Sequence, residues 1–296
     1  MAAFIKPNRP LTWLITGASS GFGLSLSRLV LAGGHTLIAT SRNPSRTPDL
    51  VAEVERQGNG SKWLKLDVDD MSGGSKLIES LETSGQAIDV LVNNAGYCIY
   101  GPIETLTEEE VQAMMNTMYF GPLRLIRAVL PHMRKRRYGV IANMSSGASL
   151  DGRDSMGAYA GTKAGLDGMS KVLAKEVAPF GVRVLSVTLG TFNTNLGNAT
   201  ILGKEPLPDD YKGSVTEQMM QYMSTGKFQA NGDKDKAMKA LYEVVLGEGV
   251  GKGHEAERLL PLGQDMTVRV KGVQDYLGHA LEVFGEVCDS VALDKK

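Results

Sequence analysis

The sequence predicts an α/β fold: a single doubly wound parallel sheet of about seven strands with helices on both faces. Short apolar runs alternate with longer segments of helical pattern over the first two thirds of the 296-residue chain. Strands that alternate with helices usually pair in parallel, and the helices cover both faces of their sheet. The predicted strands are 11–16, 36–40, 62–66, 89–93, 139–144 and 182–187, and the predicted helices are 22–32, 49–57, 72–84, 108–135 and 157–179.

The last third of the chain breaks this alternation. It combines Gly, Pro and Asn with the sequence MMQYM, which predicts a substrate cap that contains one or two short helices. A helix near 233–247, the strand-like ERLLPLG and a long helix from about 264 follow. No linker or repeat separates these parts, so we expect one domain over 1–296. Its parts are a cofactor-binding and catalytic core at 10–190, a cap at 191–235 and a helical extension at 236–296.

The composition argues against several classes of partner. A net charge of −1 does not suit nucleic acid, which requires a strongly basic surface. No apolar run approaches the ~20 residues of a membrane span, and the N-terminal stretch is too short and polar for a secretory signal. Cys98 and Cys288 have no metal-ligand spacing, so we expect a cytoplasmic protein without a metal site.

The first strand leads into a glycine-rich loop, TGASSGFG, which opens the first helix. Glycine at 17, 21 and 23 permits a tight turn and lets the backbone approach a pyrophosphate, whose charge the helix N-terminus favours. A loop that only closes a strand–helix unit is the structural alternative. The candidate dinucleotide-binding residues here are Gly17, Ser19, Ser20, Gly21, Phe22 and Gly23.

The end of the second strand indicates which dinucleotide binds. Ser41 and Arg42 stand where an NAD-specific site would carry a carboxylate for the ribose 2′-hydroxyl. Serine and arginine can instead bind a 2′-phosphate, so NADP(H) is favoured over NAD(H). The alternative is that Arg42 is a solvated loop residue.

Two further strand ends fit a cofactor that lies across the strand tips. LDV places the Asp67 carboxylate, beside Val68, where it can accept a hydrogen bond from an adenine amino group. NNAG ends the next strand with Asn94, Ala95 and Gly96, although Asn and Gly are also common in simple turns.

The sequence AYAGTKAGL places Tyr159 and Lys163 four residues apart on a predicted helix. Residues at this spacing share a helix face, so both polar groups can approach one point. An ammonium near a phenol favours the phenolate, and we therefore expect Lys163 to lower the pKa of Tyr159. The phenol would then exchange its proton readily near neutral pH.

Together these segments resemble the short-chain dehydrogenase/reductase family, whose members have a Rossmann-type fold. The matching pieces are TGASSGFG, LDV, NNAG, NMSS, YAGTK and VTLGTFNT, in family order over roughly residues 10–195. The tail ERLLPLG with a long terminal helix is similar to extended members that reduce ketones on hydrophobic or steroid-like molecules.

The resemblance implies a role for each matching residue. Ser146 corresponds to the substrate-orienting serine, Tyr159 to the general acid that protonates the developing alkoxide, and Lys163 to the residue that holds the nicotinamide ribose. Thr194 corresponds to the residue that binds the nicotinamide carboxamide, and Gly190 is assigned to the cofactor site. Asn93 corresponds to a structural position beside the cofactor.

Two positions depart from the family pattern. Counting back from Gly121, Met118 stands where the family carries an asparagine that helps to hold a water for proton transfer. Asn116 is two residues earlier, which on a helix rotates its side chain by about 200°, so it cannot substitute. Leu189 replaces the proline of the usual Pro-Gly pair.

The substrate pocket and the oligomeric state have weaker signals. The candidate pocket residues Met219, Met220, Tyr222 and Met223, together with YCIY at 97–100, suit a bulky apolar ligand or ordinary packing. The Tyr159 helix is rich in Ala and Gly at 158, 160, 161, 164, 165 and 168, which permits close helix packing within one subunit or in a possible homodimer.

We therefore expect an NADPH-dependent oxidoreductase that reduces a ketone or aldehyde on a hydrophobic small molecule, or oxidises the alcohol. Met118 and Leu189 leave open a non-redox isomerase or cyclase that uses bound NADP as a scaffold. A nucleotide-sensing regulatory protein is a third hypothesis, which the intact Ser–Tyr–Lys set disfavours.

Overall fold

A seven-stranded parallel sheet forms the centre of the computed structural model, which describes residues 6–194, 201–226 and 229–293. Its strands in chain order are β1 (Thr12–Ile15), β2 (Thr36–Ser41), β3 (Lys62–Lys65), β4 (Val90–Asn93), β6 (Gly139–Ser146), β7 (Val182–Leu189) and β9 (Leu259–Leu262). A separate two-stranded ladder pairs β5 (Ile99–Tyr100) with β8 (Ile201–Leu202). The order across the large sheet is β3-β2-β1-β4-β6-β7-β9, which confirms the predicted seven-stranded, doubly wound arrangement.

Helices cover both faces of this sheet. They are α1 (Gly21–Ala32), α2 (Pro48–Glu55), α3 (Gly73–Thr83), α4 (Glu108–Met115), α5 (Gly121–Arg136), α6 (Ala148–Asp151), α7 (Gly157–Val177), α8 (Val215–Ser224), α9 (Lys234–Leu246) and α10 (Met266–Ser290). One hydrophobic cluster joins the sheet to α1, α2 and α9, and a second joins its other face to α3, α5 and α7. Within the described residues, no helix is both long and apolar enough to cross a membrane.

The strand β1 explains why the apolar runs are continuous. Trp13 and Ile15 belong to the first cluster, whereas Leu14 between them belongs to the second. Successive strand side chains point to opposite faces, so a strand with helices on both sides must be apolar at every position. Both neighbours of β1 in the sheet, β2 and β4, run parallel to it, and the chain reverses its direction of travel across the sheet at this point. Such switch points place ligand clefts at the carboxyl ends of the strands.

The helix predicted over 108–135 is interrupted. A π-helical turn at Asn116–Phe120 separates α4 from α5. A π turn contains one more residue than an α turn, and such turns are frequent at functional sites. Thr117, the second residue of the turn, donates a hydrogen bond to the Asp69 carboxylate at 2.9 Å. The next residue, Met118, is buried.

A third apolar cluster lies apart from the two that cover the sheet. Its buried members include Tyr100, Met118, Tyr159 and Met223, which come from four distant parts of the chain. The described part of the predicted cap therefore packs against Tyr100 of β5, against Met118 and against Tyr159 of α7.

Candidate active site

The glycine loop after β1 has the backbone that the sequence predicted. Gly17 and Gly21 have φ of +67° and +56°, in the left-handed region that favours glycine. Gly23 is needed for a different reason, because a Cβ there would lie 2.4 Å from the Gly17 carbonyl oxygen. Asn94 holds the loop from the neighbouring strand end, since its amide nitrogen donates to the Thr16 and Gly17 carbonyls at 2.8 and 3.1 Å.

A cleft of about 540 Å³ runs from this loop along the carboxyl ends of the strands to α7. Most of the residues predicted from sequence line it: Gly17, Ser19, Ser20, Gly21, Phe22, Ser41, Arg42, Asp67, Val68, Asn94, Ala95, Gly96, Tyr159, Lys163 and Thr194. Three predicted residues, Gly23, Ser146 and Gly190, are not among the lining residues.

Those three residues contact residues that surround the cleft without lining it themselves. Gly23 lies against the Gly17 carbonyl and so supports the loop. The Gly190 amide donates to the Leu262 carbonyl at 2.8 Å, and a Cβ at Gly190 would lie 2.0 Å from an Asp265 carboxylate oxygen. Ser146, the last residue of β6, uses its hydroxyl to accept from the Ala148 amide at 3.2 Å and interacts with the Tyr159 phenol.

At the end of β2, Ser41 and Arg42 line the cleft. The Ser41 hydroxyl accepts a hydrogen bond from the Trp63 indole nitrogen at 2.9 Å, which leaves its proton available to a ligand. The Asp67 carboxylate accepts from the Asp69 amide at 3.0 Å and also lines the cleft.

Tyr159 and Lys163 lie one turn apart on α7 and are both buried. The Lys163 Nζ donates to the Met144 carbonyl at 2.7 Å, which anchors the ammonium against β6. It lies 5.8 Å from the centroid of the Tyr159 ring, so the cation stands over the face of the phenol.

The electrostatics of this pair correct the sequence prediction. Burial raises the pKa of the Tyr159 phenol and Cys98 adds to that effect, while the Ser146 hydroxyl and the Arg269 guanidinium act in the opposite direction. Burial also lowers the pKa of the Lys163 ammonium to about 8. The prediction that Lys163 lowers the pKa of Tyr159 is therefore wrong for this arrangement, because desolvation of the phenol dominates.

Met118 lies beside Lys163 in the cleft wall. A Cβ built at Gly96 would be 3.0 Å from the Met118 sulfur and 3.8 Å from Lys163 Nζ, so both side chains border the same small space. Asn116 points elsewhere, because its side-chain oxygen accepts from Arg124 at 2.7 Å. The side chain of Asn116 therefore does not replace the missing amide at Met118.

Asp167, a buried carboxylate one turn beyond Lys163 on α7, was not predicted from the sequence. It accepts hydrogen bonds from the hydroxyls of Ser145 at 2.9 Å and Ser149 at 2.6 Å, and also from Ser186. Its negative charge raises the pKa of Lys163 and so opposes the effect of burial. Asp167 thus ties the ends of β6 and β7 to the helix that carries Tyr159.

Sequence reasoning also missed a cluster that α10 contributes. Arg269 forms a two-point ion pair with Asp151, with distances of 2.6 and 2.7 Å, and contacts Asp265 at 3.2 Å. Asp265 in turn accepts from the amide and hydroxyl of Thr191. A Cβ at Gly147 would lie 2.4 Å from the guanidinium carbon of Arg269, so this cation is packed against the residue that follows Ser146.

The predicted cap residues divide into two groups. Met223 is buried and Met219 is partly buried in the cluster that contains Tyr159, whereas Tyr222 is exposed. Ile201 of β8 lines the cleft itself. The cap residues 195–200 and 227–228 lie outside the described residues.

A sequence model of the short chain dehydrogenase family matches residues 12–205, which is most of the chain. This protein therefore belongs to the short-chain dehydrogenase/reductase family, as its motifs predicted. The match ends before α8, α9, β9 and α10.

Individual relatives agree with this assignment. The chain is 40% identical over 212 residues to a 3-ketodihydrosphingosine reductase of Bacteroides thetaiotaomicron, covering 71% of this chain and 75% of that protein. A solved short-chain dehydrogenase from Streptomyces avermitilis is 32% identical with a TM-score of 0.84, covering 97% of this chain and all of that one. A serine dehydrogenase solved with NADP⁺ is 26% identical with a TM-score of 0.69, covering 85% of this chain and 94% of that one.

Proposed function

We propose that this protein is an NADP(H)-dependent oxidoreductase that reduces a ketone or aldehyde on a hydrophobic small molecule, or oxidises the corresponding alcohol. The observation that carries the proposal is one cleft with a glycine-lined turn and Arg42 at one end and the buried Tyr159–Lys163 pair at the other. The similarity to a 3-ketodihydrosphingosine reductase supports reduction of a ketone.

The cleft fits a phosphorylated dinucleotide. The left-handed backbone at Gly17 and Gly21 exposes amide groups at the start of α1, where a pyrophosphate is favoured. Arg42 and the Ser41 hydroxyl can bind a 2′-phosphate, and the NADP⁺ in the related serine dehydrogenase supports this choice. Asp67 would accept from an adenine amino group, and Thr194, which lines the cleft near Gly21, would bind the nicotinamide carboxamide.

The residues of this chain would supply the proton and the geometry. When bound, reduced nicotinamide provides a hydride to a carbonyl carbon. Because burial raises its pKa, Tyr159 is protonated at neutral pH and can donate its proton to the oxygen of the reacting carbonyl. The Ser146 hydroxyl beside it would orient that oxygen, and Lys163, held by Met144, would bind the ribose.

The described cap suits an apolar substrate. Ile201 lines the cleft, and Met219 and Met223 add flexible apolar side chains to the cluster that contains Tyr159. We propose that 191–235 caps the substrate within a single domain. Homodimer formation through the small residues of α7 is also part of the proposal, and Gly161, Ala164 and Gly168 are exposed there.

One observation favours a second candidate function. Met118 places a thioether next to Lys163 where the family carries an amide for proton transfer. A non-redox isomerase or cyclase that binds NADP as a scaffold needs no such path. It would bind the cofactor tightly and turn over substrate without a change in nicotinamide absorbance.

Cofactor preference gives a direct test. The ratio of NADPH to NADH affinity should fall about tenfold or more in Arg42→Glu, because a carboxylate repels the 2′-phosphate. Arg46, which does not line the cleft, supplies the matched control Arg46→Glu. Consumption of NADPH with a panel of apolar ketones then distinguishes reduction from scaffold binding. An unchanged affinity ratio in Arg42→Glu would contradict the assigned role of Arg42.

A further inference from the structure

The helix α10 extends away from the rest of the protein. Its first residue, Met266, is buried, and Arg269 binds Asp151 at the end of α6. From 274 to 290 every residue except Gly285 is exposed. At 1.5 Å per residue, about 25 Å of this helix has little contact with its own chain.

The exposed part of α10 carries an apolar face. Tyr276, Ala280, Val283 and Val287 follow one another at spacings of four, three and four residues, which places them along one side of the helix. Large apolar side chains flank this row: Leu277, Leu281, Phe284 and Val291.

The area of this face is that of a protein interface. Tyr276 is 73% exposed, and the other seven apolar positions are exposed as well. Large side chains exposed to this degree present on the order of 100 Å² each, so the face totals roughly 700 Å². A monomer seldom exposes more than a few hundred Å² of continuous apolar surface, whereas a stable dimer buries about 800 Å² per partner.

The helix also has a composition that requires a partner. Gly272, Gly278 and Gly285 each weaken a helix interior by about 1 kcal/mol relative to alanine. In proteins a helix gains most of its stability from tertiary packing of its apolar face rather than from intrinsic helix propensity. The described residues of this chain do not cover that face.

We propose that this face of α10 binds the same face of a second copy of this chain, with the two helices antiparallel and crossing at Ala280. The small alanine permits close approach at the centre, and Val273 of each copy meets Val287 of the other. A two-fold interface of this kind is self-complementary by construction.

The charge of the helix disfavours a lipid surface as the occupant. Between 274 and 290 the charged residues are Asp275, Glu282, Glu286 and Asp289, with His279 as the one titratable base. Helices that lie on membranes carry Lys and Arg on their polar face, which attracts anionic lipids. This surface is separate from the exposed small residues of α7 and does not depend on the proposed chemistry.

Disulfide trapping tests the register. In a Cys288→Ser background, where the remaining Cys98 is buried, Ala280→Cys should form an intermolecular disulfide under mild oxidation. Glu282→Cys is the matched control, since two residues rotate a side chain by about 200° to the far side of the helix. Cross-linking at 280 but not at 282 supports the proposal. Equal cross-linking at both positions, or none at 280, overturns it.

Sedimentation equilibrium tests the energetics. Tyr276→Ala should raise the dissociation constant of the α10 dimer about thirtyfold, as expected for a central interface aromatic, while Glu282→Ala should leave it unchanged. An assembly of the same strength in Tyr276→Ala would place the interface elsewhere and overturn the proposal. A chain of 31.8 kDa that remains monomeric and sediments with phosphatidylglycerol vesicles would overturn it in favour of a membrane surface.

Discussion

The buried ammonium of Lys163 should give the protein a characteristic dependence of stability on pH. Lys163 is 5% exposed, and burial lowers its pKa from 10.5 to about 8. Between these two values the unfolded chain binds more protons than the folded protein does. The free energy of unfolding contributed by this group therefore rises with pH, because charging the buried ammonium costs stability below pH 8.

The size of the effect follows from the two pKa values. Between pH 7 and pH 10 the wild type should gain about 2 to 3 kcal/mol relative to a variant that cannot titrate at this position. Lys163→Met supplies that variant, and its loss of the hydrogen bond to Met144 adds an offset that does not vary with pH. The assay is urea denaturation of cofactor-free protein at unit intervals over this pH range.

Lys171→Met is the matched control, since Lys171 is exposed on the same helix. The difference in unfolding free energy between this control and the wild type should stay constant over the same pH range. A flat difference for Lys163→Met as well would refute the reasoning, because it would mean that the ammonium is solvated in the folded protein.

Two other substitutions test the residues that hold the site together. Asp167→Ala removes the acceptor for Ser145 and Ser149 and should lower the free energy of unfolding by about 3 kcal/mol. Asp167→Asn removes only the charge and should lower it by about 1 kcal/mol. Equal losses for the two variants in urea denaturation would contradict the argument that the acceptor is charged. Arg269→Met breaks the ion pair with Asp151, and the backbone after Ser146 loses its support. We therefore expect kcat to fall about tenfold at unchanged cofactor affinity, with partial recovery in Arg269→Lys. An unchanged kcat in Arg269→Met would show that Arg269 does not support the site.

The sequence predicted the features that have local signals. Trp13 to Ile15 form a strand because each of their side chains is apolar, and Gly17 and Gly21 mark the turn that only glycine adopts readily. The four-residue spacing of Tyr159 and Lys163 was enough to place both on one face of α7. Each of these predictions depends on residues within a few positions of one another.

The features that were missed depend on residues that are distant in sequence. Arg269 meets Asp151 across 118 positions, and neither residue carries a local pattern that indicates the other. The pKa of Tyr159 was predicted in the wrong direction because spacing shows which charge is near but not how deeply the phenol is buried. The π turn at Asn116–Phe120 likewise has no simple signature, since its residues are compatible with an ordinary helix.

The central claim is that the Tyr159 phenol transfers a proton to or from the substrate oxygen. The most direct measurement compares NADPH consumption with an apolar ketone by wild type, Tyr159→Phe and Tyr100→Phe, since Tyr100 is equally buried in the same cluster but does not line the cleft. We expect kcat to fall about a hundredfold or more in Tyr159→Phe, with NADPH affinity retained, and to change little in Tyr100→Phe. Equal rates in the wild type and Tyr159→Phe would contradict the account.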